Sequence, residues 1–324
     1  MMRRGCLLAI VGAFVLAVGS LTWLLGGWYW GGPLEKDAAF IVPDGSSLKA
    51  VSAKLEKEGV IASSSSFYLR ARIFGAGGSI KAGEFSVPAG ASPSKVLSIL
   101  QGGEAVRRFV TVPEGMPSIL VYERLSGQSL LNGSIAVPPE GSVLPDTYDF
   151  ERGENRQAVL LRMQTAMQRT LAELWEKRSP DTVAKTPQEA LILASIVEKE
   201  TGKPSERKLV AGLYSNRLRQ GIMLQADPTI IYPITKGKPL GRRILQSEIQ
   251  AINEYNTYSM VGLPKGPITN PGRASIEAVL NPAKTDALYM VADGTGGHAF
   301  AATLTEHNAN VEKWYTLRKQ RGDF

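Results

Sequence analysis

The sequence is poor in the residues that bind metals and form disulfides. Its 324 residues include one cysteine and two histidines. This excludes an internal disulfide framework and a cysteine-based zinc site, and it leaves little basis for a histidine-rich metal centre. Hydrophobic residues make up 44% and charged residues 21% of the chain, as in folded rather than disordered proteins. We therefore expect a folded chain of about two domains, with no metal and no cofactor.

The chain also lacks the dense lysine and arginine clusters that are typical of nucleic-acid-binding proteins. Its formal net charge is +7, a mild excess that suits an anionic polymer or surface. A membrane-tethered binder of nucleic acid or another polyanion is one alternative, but the even distribution of charge argues against it. We expect no nucleic acid among the partners.

Charged residues are absent from positions 5–32, and residues 7–25 read LLAIVGAFVLAVGSLTWLL. A membrane-spanning helix needs about 20 apolar residues, and Trp and Tyr, as in the WYW run at 28–30, favour the membrane interface. A cleaved signal peptide is the alternative, but its apolar core is only about 7–15 residues long and is followed by small residues. The run predicts an uncleaved transmembrane anchor over residues 7–30.

Arg3 and Arg4 precede this apolar run, and positive residues favour the cytoplasmic side of a membrane. We expect residues 1–6 to form a cytoplasmic tail of a single-pass protein. The chain from about Pro33 onward would then lie outside the cytoplasmic (inner) membrane, in the periplasm or extracytoplasmic space.

A strand–helix–helix–strand pattern follows over residues 38–105. Its predicted elements are Phe40–Val42, Leu48–Glu58 capped by Ser46 or Ser47, Ser66–Phe74, Gly83–Val87 and a further helix from Pro93 to Leu100. The order resembles a LysM-like α/β module, which implies glycan binding; the alternative is a spacer that binds nothing. Residues 106–150, with a strand candidate at Arg108–Val112, are predicted to form a connecting β subdomain.

Helical periodicity returns in residues 151–324, which we expect to form a mixed α+β domain. The predicted elements are helices at Asn155–Lys177, Thr186–Thr201, Glu206–Arg219 and Thr305–Lys319 and strands at Leu288–Ala292 and His298–Ala302. Thr186 and Glu189 form a capping box, and Ser205 is the expected cap of the next helix. Residues 222–281 are rich in Pro and Gly, and loops of this length are usually functional. The fold class is α+β, with a transmembrane helix and the small module before this domain.

Two glutamates lie in the last turn of the helix predicted over Thr186–Thr201. Glu198 and Glu200 lie roughly 200° apart around its axis, so they cannot act as a facing pair. The helix dipole disfavours an ionised carboxylate in the last turn, which raises its pKa as a general acid requires. The alternative is two solvated helix-end acids. Both flank the apolar stripe Ala190, Leu193, Ala194 and Val197, so periodicity barely separates them.

Short motifs follow in a fixed order after the run LASIVEKET at residues 193–201. They are SER (205–207), NRL (216–218), LQADPT (224–229), YNTY (255–258), GLP (262–264), GPI (266–268), NPG (270–272), NPA (281–283), Tyr289 with VADG (291–294), GGH (296–298) with Phe300, and HN (307–308). In order and spacing they resemble the MltG (YceG-like) endolytic murein transglycosylases over about residues 190–310. The resemblance implies that residues 151–324 are a catalytic domain.

The resemblance implies that Glu200, the second glutamate of VEKET, is the catalytic acid. The substrate would be the β-1,4 bond between N-acetylmuramic acid and N-acetylglucosamine in peptidoglycan. One carboxyl would protonate the leaving oxygen and then accept the proton of the muramic acid C6 hydroxyl, giving a 1,6-anhydro end without water. A hydrolase generally needs two carboxylates, and Asp227 is the candidate for the second. The resemblance also implies endolytic cutting that ends glycan elongation.

Polar and aromatic side chains of the loop motifs are the predicted substrate-binding residues: Gln225, Asp227, Thr229, Tyr255, Asn256, Tyr258, Asn270 and His298. Amide side chains suit N-acetyl and hydroxyl groups, and tyrosine rings suit stacking on sugars. The alternative for the set is loop packing, and for Asp227 a structural turn.

The expected partners are then peptidoglycan glycan strands and the cytoplasmic membrane, with cell-wall synthases as a further implied partner. A function of another class is also open. In that alternative the chain is a non-catalytic peptidoglycan-binding scaffold that recruits such synthases.

Overall fold

The computed structural model describes residues 2–75 and 77–322. Its helices are α1 (Met2–Tyr29), α2 (Leu48–Lys57), α3 (Ser64–Phe74), α4 (Pro93–Gly102), α5 (Ser118–Ser126), α6 (Arg156–Glu176), α7 (Pro187–Glu200), α8 (Arg207–Arg219), α9 (Asp227–Thr235), α10 (Gln246–Ile249), α11 (Arg273–Leu280) and α12 (Leu304–Arg321). Its strands are β1 (Ala38–Val42), β2 (Gly83–Val87), β3 (Arg107–Thr111), β4 (Thr147–Glu151), β5 (Tyr289–Ala292) and β6 (His298–Ala301). They form two-stranded sheets of β1 with β2, β3 with β4, and β5 with β6, which confirms the α+β class.

The described chain divides into two compact units. The first contains the residues up to Arg108 together with Phe150–Gly153, and the second contains Phe109–Asp149 and the residues from Glu154 onward. The boundaries expected after residues 105 and 150 stay predictions. Residue 1 of the predicted tail and residues 323–324 of the predicted catalytic domain lie outside the described residues.

Most of α1 is an exposed apolar helix. Its segment Val11–Tyr29 is long and apolar enough to cross a membrane, which confirms a candidate single-pass anchor; its orientation stays a prediction. The C-terminal end of α1, in contrast, is partly buried. Trp28 is 3% exposed, and its ring centroid lies 5.9 Å from that of Phe67 and 6.0 Å from that of Phe74. The end of the apolar helix is therefore part of the hydrophobic core of the first unit.

The remainder of the first unit has the predicted strand–helix–helix–strand order. Strands β1 and β2 pair antiparallel, with Phe40 opposite Phe85, and both rings are fully buried. Helix α3 begins two residues before the predicted start at Ser66, because the Ser63 hydroxyl accepts the Ser66 N–H at 3.4 Å and caps the helix. A likeness to LysM modules and glycan binding stay predictions for this unit.

Helix α7 lies in the core of the second unit. Every residue from Ala190 to Val197 is buried, whereas the periodicity predicted a single apolar stripe. The reason is that α6, α8, α9 and α11 all contact it. The Thr186 hydroxyl accepts the Glu189 N–H at 3.1 Å as predicted, but the Glu189 carboxylate accepts the N–H of Lys185 rather than that of the cap.

Three predictions of local structure are wrong. Ser205 does not cap α8, which begins at Arg207 after the N-cap Glu206. Residues 222–281 contain α9, α10 and α11, which were not predicted because each is under ten residues long and too short to show a clear period. The same reason explains the unpredicted α5 in residues 106–150.

Replacing Trp28 by Ala should destabilise the first unit, because the change opens a large void beside Phe67 and Phe74. Loss of a buried Trp or Phe usually costs about 3–5 kcal/mol. The matched control is Trp30→Ala, since Trp30 is 69% exposed and should cost less than about 0.5 kcal/mol. Denaturant unfolding of the full chain in detergent, followed by circular dichroism, measures both. Equal losses in the two variants would contradict the packing described here.

Candidate active site

A cavity of about 340 Å³ opens at the C-terminal end of α7 in the second unit. Five of the predicted site residues line it together: Glu200, Gln225, Asp227, Tyr258 and His298. Its other lining residues come from α8, β5, α12 and the segment before α9: Leu213, Tyr214, Arg217, Leu224, Tyr289, Met290, Val291, Ala292 and His307.

Glu200 is the last residue of α7, so the buried helix holds its carboxyl at the wall of the cavity. The Oε1 atom is buried and has no hydrogen-bond partner within the described chain. Burial and then the nearby charge of Asp227 raise the pKa of Glu200 from 4.5 to about 7, while hydrogen bonding from Tyr214 acts in the opposite direction. A carboxyl with this pKa can give and take a proton near neutral pH.

Glu198 has a different role from Glu200. Its Oε2 accepts the N–H of Gly272 at 2.9 Å, the N-cap residue of α11. The carboxylate therefore binds the N-terminal end of a helix, where negative charge is favoured. The structure thus separates two glutamates that helical periodicity could not.

Asp227 begins α9 on the same cavity as Glu200. Its Oδ1 accepts the Tyr258 hydroxyl at 2.7 Å. Burial, followed by this hydrogen bond, raises the pKa of Tyr258 well above its usual range, so the tyrosine stays a hydrogen-bond donor. The pair places an aromatic ring and a carboxylate on the cavity wall.

Arg217 is a buried cation beside these groups that sequence reasoning missed. It is 8% exposed, and it donates to the carbonyl oxygens of Leu288, Met223 and Leu224 at 2.6–3.1 Å. It also donates to Oε1 of Gln225 at 3.1 Å. Among the described residues, no carboxylate pairs with it. Gln225 has a left-handed φ of 54°, and the Arg217 contact holds its side chain in place.

His298 is held by Glu206. Its Nδ1 lies 2.8 Å from Glu206 Oε2, and its backbone N–H donates to Oε1 at 3.1 Å. Burial opposes ionisation of Glu206, but the two hydrogen bonds from His298 outweigh it and keep the pKa of Glu206 below its usual value. A Cβ atom at Gly297 would collide with Glu206 Oε1 in this position, so the glycine leaves room for the Glu206 carboxylate beside His298.

His307 is a second histidine of the cavity that sequence reasoning did not assign to the site. It stacks on Tyr289 with ring centroids 5.3 Å apart, and its buried Nδ1 has no partner in the described chain. Burial and the charge of Arg217 lower its pKa, which favours the neutral ring. The only signal in the sequence was its place in the motif at residues 307–308.

Two predicted substrate-binding amides lie outside the cavity. Asn256 is fully buried and donates through Nδ2 to the carbonyl oxygens of Ile249 and Ala251 at 2.9 and 2.6 Å. Asn270 is fully buried as well; its Oδ1 accepts the Val143 N–H at 3.0 Å, and its Nδ2 donates to the Met116 carbonyl at 2.9 Å. The structure gives both amides a scaffolding role instead.

Thr229 and Tyr255 are also outside the cavity. Thr229 is fully buried, and its hydroxyl lies 2.8 Å from that of Thr257. The ring of Tyr255 packs on Tyr232 with centroids 4.9 Å apart, so that face is not free to stack on a sugar. These two residues make packing and hydrogen-bond contacts within and around α9 rather than line the site.

Within residues 2–75 and 77–322, no group of three or more His, Cys, Asp or Glu side chains is arranged to hold a metal ion.

The YceG-like family matches residues 40–313, and the chain belongs to this family. An endolytic murein transglycosylase of Bacillus subtilis is 28% identical over 89% of this chain and 89% of its own length. A protein of the same name from Streptococcus pneumoniae is 28% identical over 83% of this chain, which spans 57% of that relative. A crystal structure of a yceG-like protein from Listeria monocytogenes has a TM-score of 0.53 and 26% identity, over 85% of this chain and 98% of that one.

Glu200 should make stability depend on pH. Between pH 4.5 and about 7 the folded chain keeps a proton on Glu200 that the unfolded chain has lost, so the free energy of unfolding falls as pH rises through this window. The full shift corresponds to about 3 kcal/mol. Burial raises the pKa of Glu140 to about 7 as well, so Glu200→Gln should remove only the part of this slope that belongs to Glu200, and it should stabilise the protein above pH 7. Denaturant midpoints from pH 4 to 8 measure it, with Glu198→Gln as control; an unchanged slope in Glu200→Gln would refute the assignment.

Proposed function

We propose that this chain is an endolytic murein transglycosylase, with Glu200 as its catalytic acid and base. The observation that carries the proposal is the Glu200 carboxyl, whose Oε1 is buried at the cavity wall with no partner in the described chain. Its pKa of about 7 suits a group that must first donate and then accept a proton. Membership of the YceG-like family and the names of the relatives support the same reaction class.

The reaction acts on the β-1,4 bond between N-acetylmuramic acid and N-acetylglucosamine. Glu200 gives its proton to the leaving oxygen as the bond to C1 of muramic acid breaks. The carboxylate then takes the proton of the C6 hydroxyl while that oxygen bonds to C1. Glu200 thus gives one proton and takes one back, and the product is a 1,6-anhydro ring with no water consumed.

The remaining cavity residues bind the sugar. Tyr258, Gln225 and His298 present a ring, an amide and an imidazole to the same space as Glu200. Asp227 holds the Tyr258 hydroxyl, and its negative charge favours the protonated form of Glu200 before bond cleavage. His307 adds a ring nitrogen that has no partner among the described residues, and it is suited to an N-acetyl or hydroxyl group.

A hydrolase is the second candidate, because Asp227 is close enough to Glu200 for its charge to raise the Glu200 pKa. Two carboxyls at one cavity are the usual requirement for hydrolysis. The hydrogen bond from Tyr258 occupies Oδ1 of Asp227, which favours a positioning role for this carboxylate. The two candidates differ in their products, which carry 1,6-anhydro or reducing muramic acid ends.

In the same proposal α1 anchors the chain in the cytoplasmic membrane, with its N-terminus in the cytoplasm and the second unit in the extracytoplasmic space. Cleavage there would act on glycan strands near the membrane and terminate their elongation. The LysM-like expectation gives the first unit a glycan-binding role, and cell-wall synthases are the proposed partners.

Glu200→Gln should lower the release of 1,6-anhydro-ended glycans from purified peptidoglycan by at least about 10²-fold, the usual contribution of a general acid. Glu198→Gln is the matched control on the same helix. It should keep most activity, since an amide oxygen can still accept the Gly272 N–H. Mass spectrometry of the products reads out both.

Reducing ends in the products of the unmodified protein would favour the hydrolase, and Asp227→Asn would then be expected to abolish cleavage. If neither the unmodified protein nor Glu200→Gln cleaves peptidoglycan and both bind it equally well, the non-catalytic scaffold would be favoured.

A further inference from the structure

The first unit contains a cavity of about 490 Å³ beside the C-terminal end of α1. Its wall includes Trp23 and Gly27 from α1 and Trp30, which follows that helix. Another part of the wall is formed by Ser63, the N-cap of α3, and by Ser66 and Arg70 within α3. The murein reaction proposed above uses none of these residues.

Arg70 is a buried cation on the wall of this cavity. It is 6% exposed. Its Nη2 donates to the Trp23 carbonyl at 2.9 Å, and its guanidinium lies 4.3 Å from the centre of the Trp23 ring. A Cβ atom at Gly27 would collide with the guanidinium in this position, so the glycine leaves room for Arg70 against α1.

The charge of Arg70 is not compensated by the protein. Among the residues that the structure describes, no carboxylate forms an ion pair with it, and its buried Nε has no hydrogen-bond partner. A buried charge without a partner is strongly unfavourable, and a guanidinium binds carboxylate and phosphate oxygens best. Arg70 lines the adjoining cavity, and an anion there would neutralise the charge.

The depth of Arg70 along α1 indicates which anion is available. Its guanidinium lies against Gly27, two residues before the end of the apolar segment Val11–Tyr29, which is about 3 Å at 1.5 Å per residue. A segment of this length fills the hydrocarbon core of a bilayer, which is about 30 Å thick, and the headgroup region of about 5–8 Å begins where the segment ends. With α1 in a bilayer, Arg70 therefore lies at the boundary of the hydrocarbon core, beside the lipid phosphates. Trp23 and Trp30, 55% and 69% exposed, are residues that favour this interface.

Two further features of the cavity suit a phosphate. It lies at the N-terminal end of α3, where Ser63 is the N-cap and the helix dipole favours negative charge. The Ser66 side chain is a further hydroxyl on the same wall, one helical turn before Arg70. Hydroxyl, dipole and guanidinium therefore converge on one space.

We propose that this cavity binds the phosphate of an anionic phospholipid headgroup, in the leaflet that contains the C-terminal end of α1. Arg70 supplies the charge and Ser66 a hydroxyl hydrogen bond. The inference rests on α1 spanning a bilayer and is independent of the reaction at Glu200, so peptidoglycan cleavage tests one and lipid binding the other.

Native mass spectrometry of the full chain, released from micelles that contain equal amounts of phosphatidylglycerol and phosphatidylcholine, tests the proposal. The unmodified protein should retain phosphatidylglycerol preferentially. Arg70→Gln should weaken that retention at least about tenfold, as expected for loss of a charged hydrogen bond. Arg72→Gln is the matched control, because Arg72 is exposed on the same helix and contacts the Tyr68 ring; it should leave retention unchanged.

A second variant, Ser66→Glu, tests the same site in case Arg70→Gln does not fold. Position 66 is the third residue of α3 after the cap Ser63, where a glutamate completes a capping box and stabilises the helix. The new carboxylate also lies four residues before Arg70 and would take the place of the phosphate. This variant should be folded by circular dichroism and should lose the preference for phosphatidylglycerol.

Equal retention of both lipids by the unmodified protein would overturn the proposal. So would full retention by Arg70→Gln, or by folded Ser66→Glu. Displacement of phosphatidylglycerol by millimolar inorganic phosphate would assign the cavity to free phosphate instead and refute the lipid assignment.

Discussion

The burial of α7 is the constraint on which the second unit depends. Eight consecutive residues of this helix lie in the core, so its axis is held on all sides and its last residue, Glu200, meets the cavity where the core ends. A carboxyl in that place loses water without gaining a full set of protein partners. The same desolvation that reduces stability above neutral pH keeps the proton available for transfer.

The shape of the cavity also depends on buried polar side chains that do not line it. Asn256 and Asn270 use their amides to satisfy backbone groups of irregular segments, which would otherwise be buried without partners. The Thr229–Thr257 contact adds a further tie beside α9. These bonds hold the Pro- and Gly-rich segment in the shape that brings Tyr258 to Asp227.

Much of the fold was predictable from the sequence, and less of the site was. Long periodic elements such as α6 and α12 and the capped start of α7 lie close to where their patterns place them. Glu198 and Glu200 could not be separated, because only the packing of α11 gives Glu198 its partner. An asparagine amide suits a sugar and a backbone carbonyl equally well, so residue type could not tell Asn256 from Gln225. Arg217 and His307 were missed because their roles arise from contacts between distant elements.

The burial of Trp28 in the first unit determines how that unit is attached to α1. The irregular residues between Tyr29 and Ala38 follow a side chain that is already fixed in the core. The Trp28 ring and the contact of Arg70 with Trp23 also join α1 to the rest of the unit. Lengthening this loop would therefore leave the separation between the apolar helix and the first unit unchanged, and the unit would follow a tilt of α1.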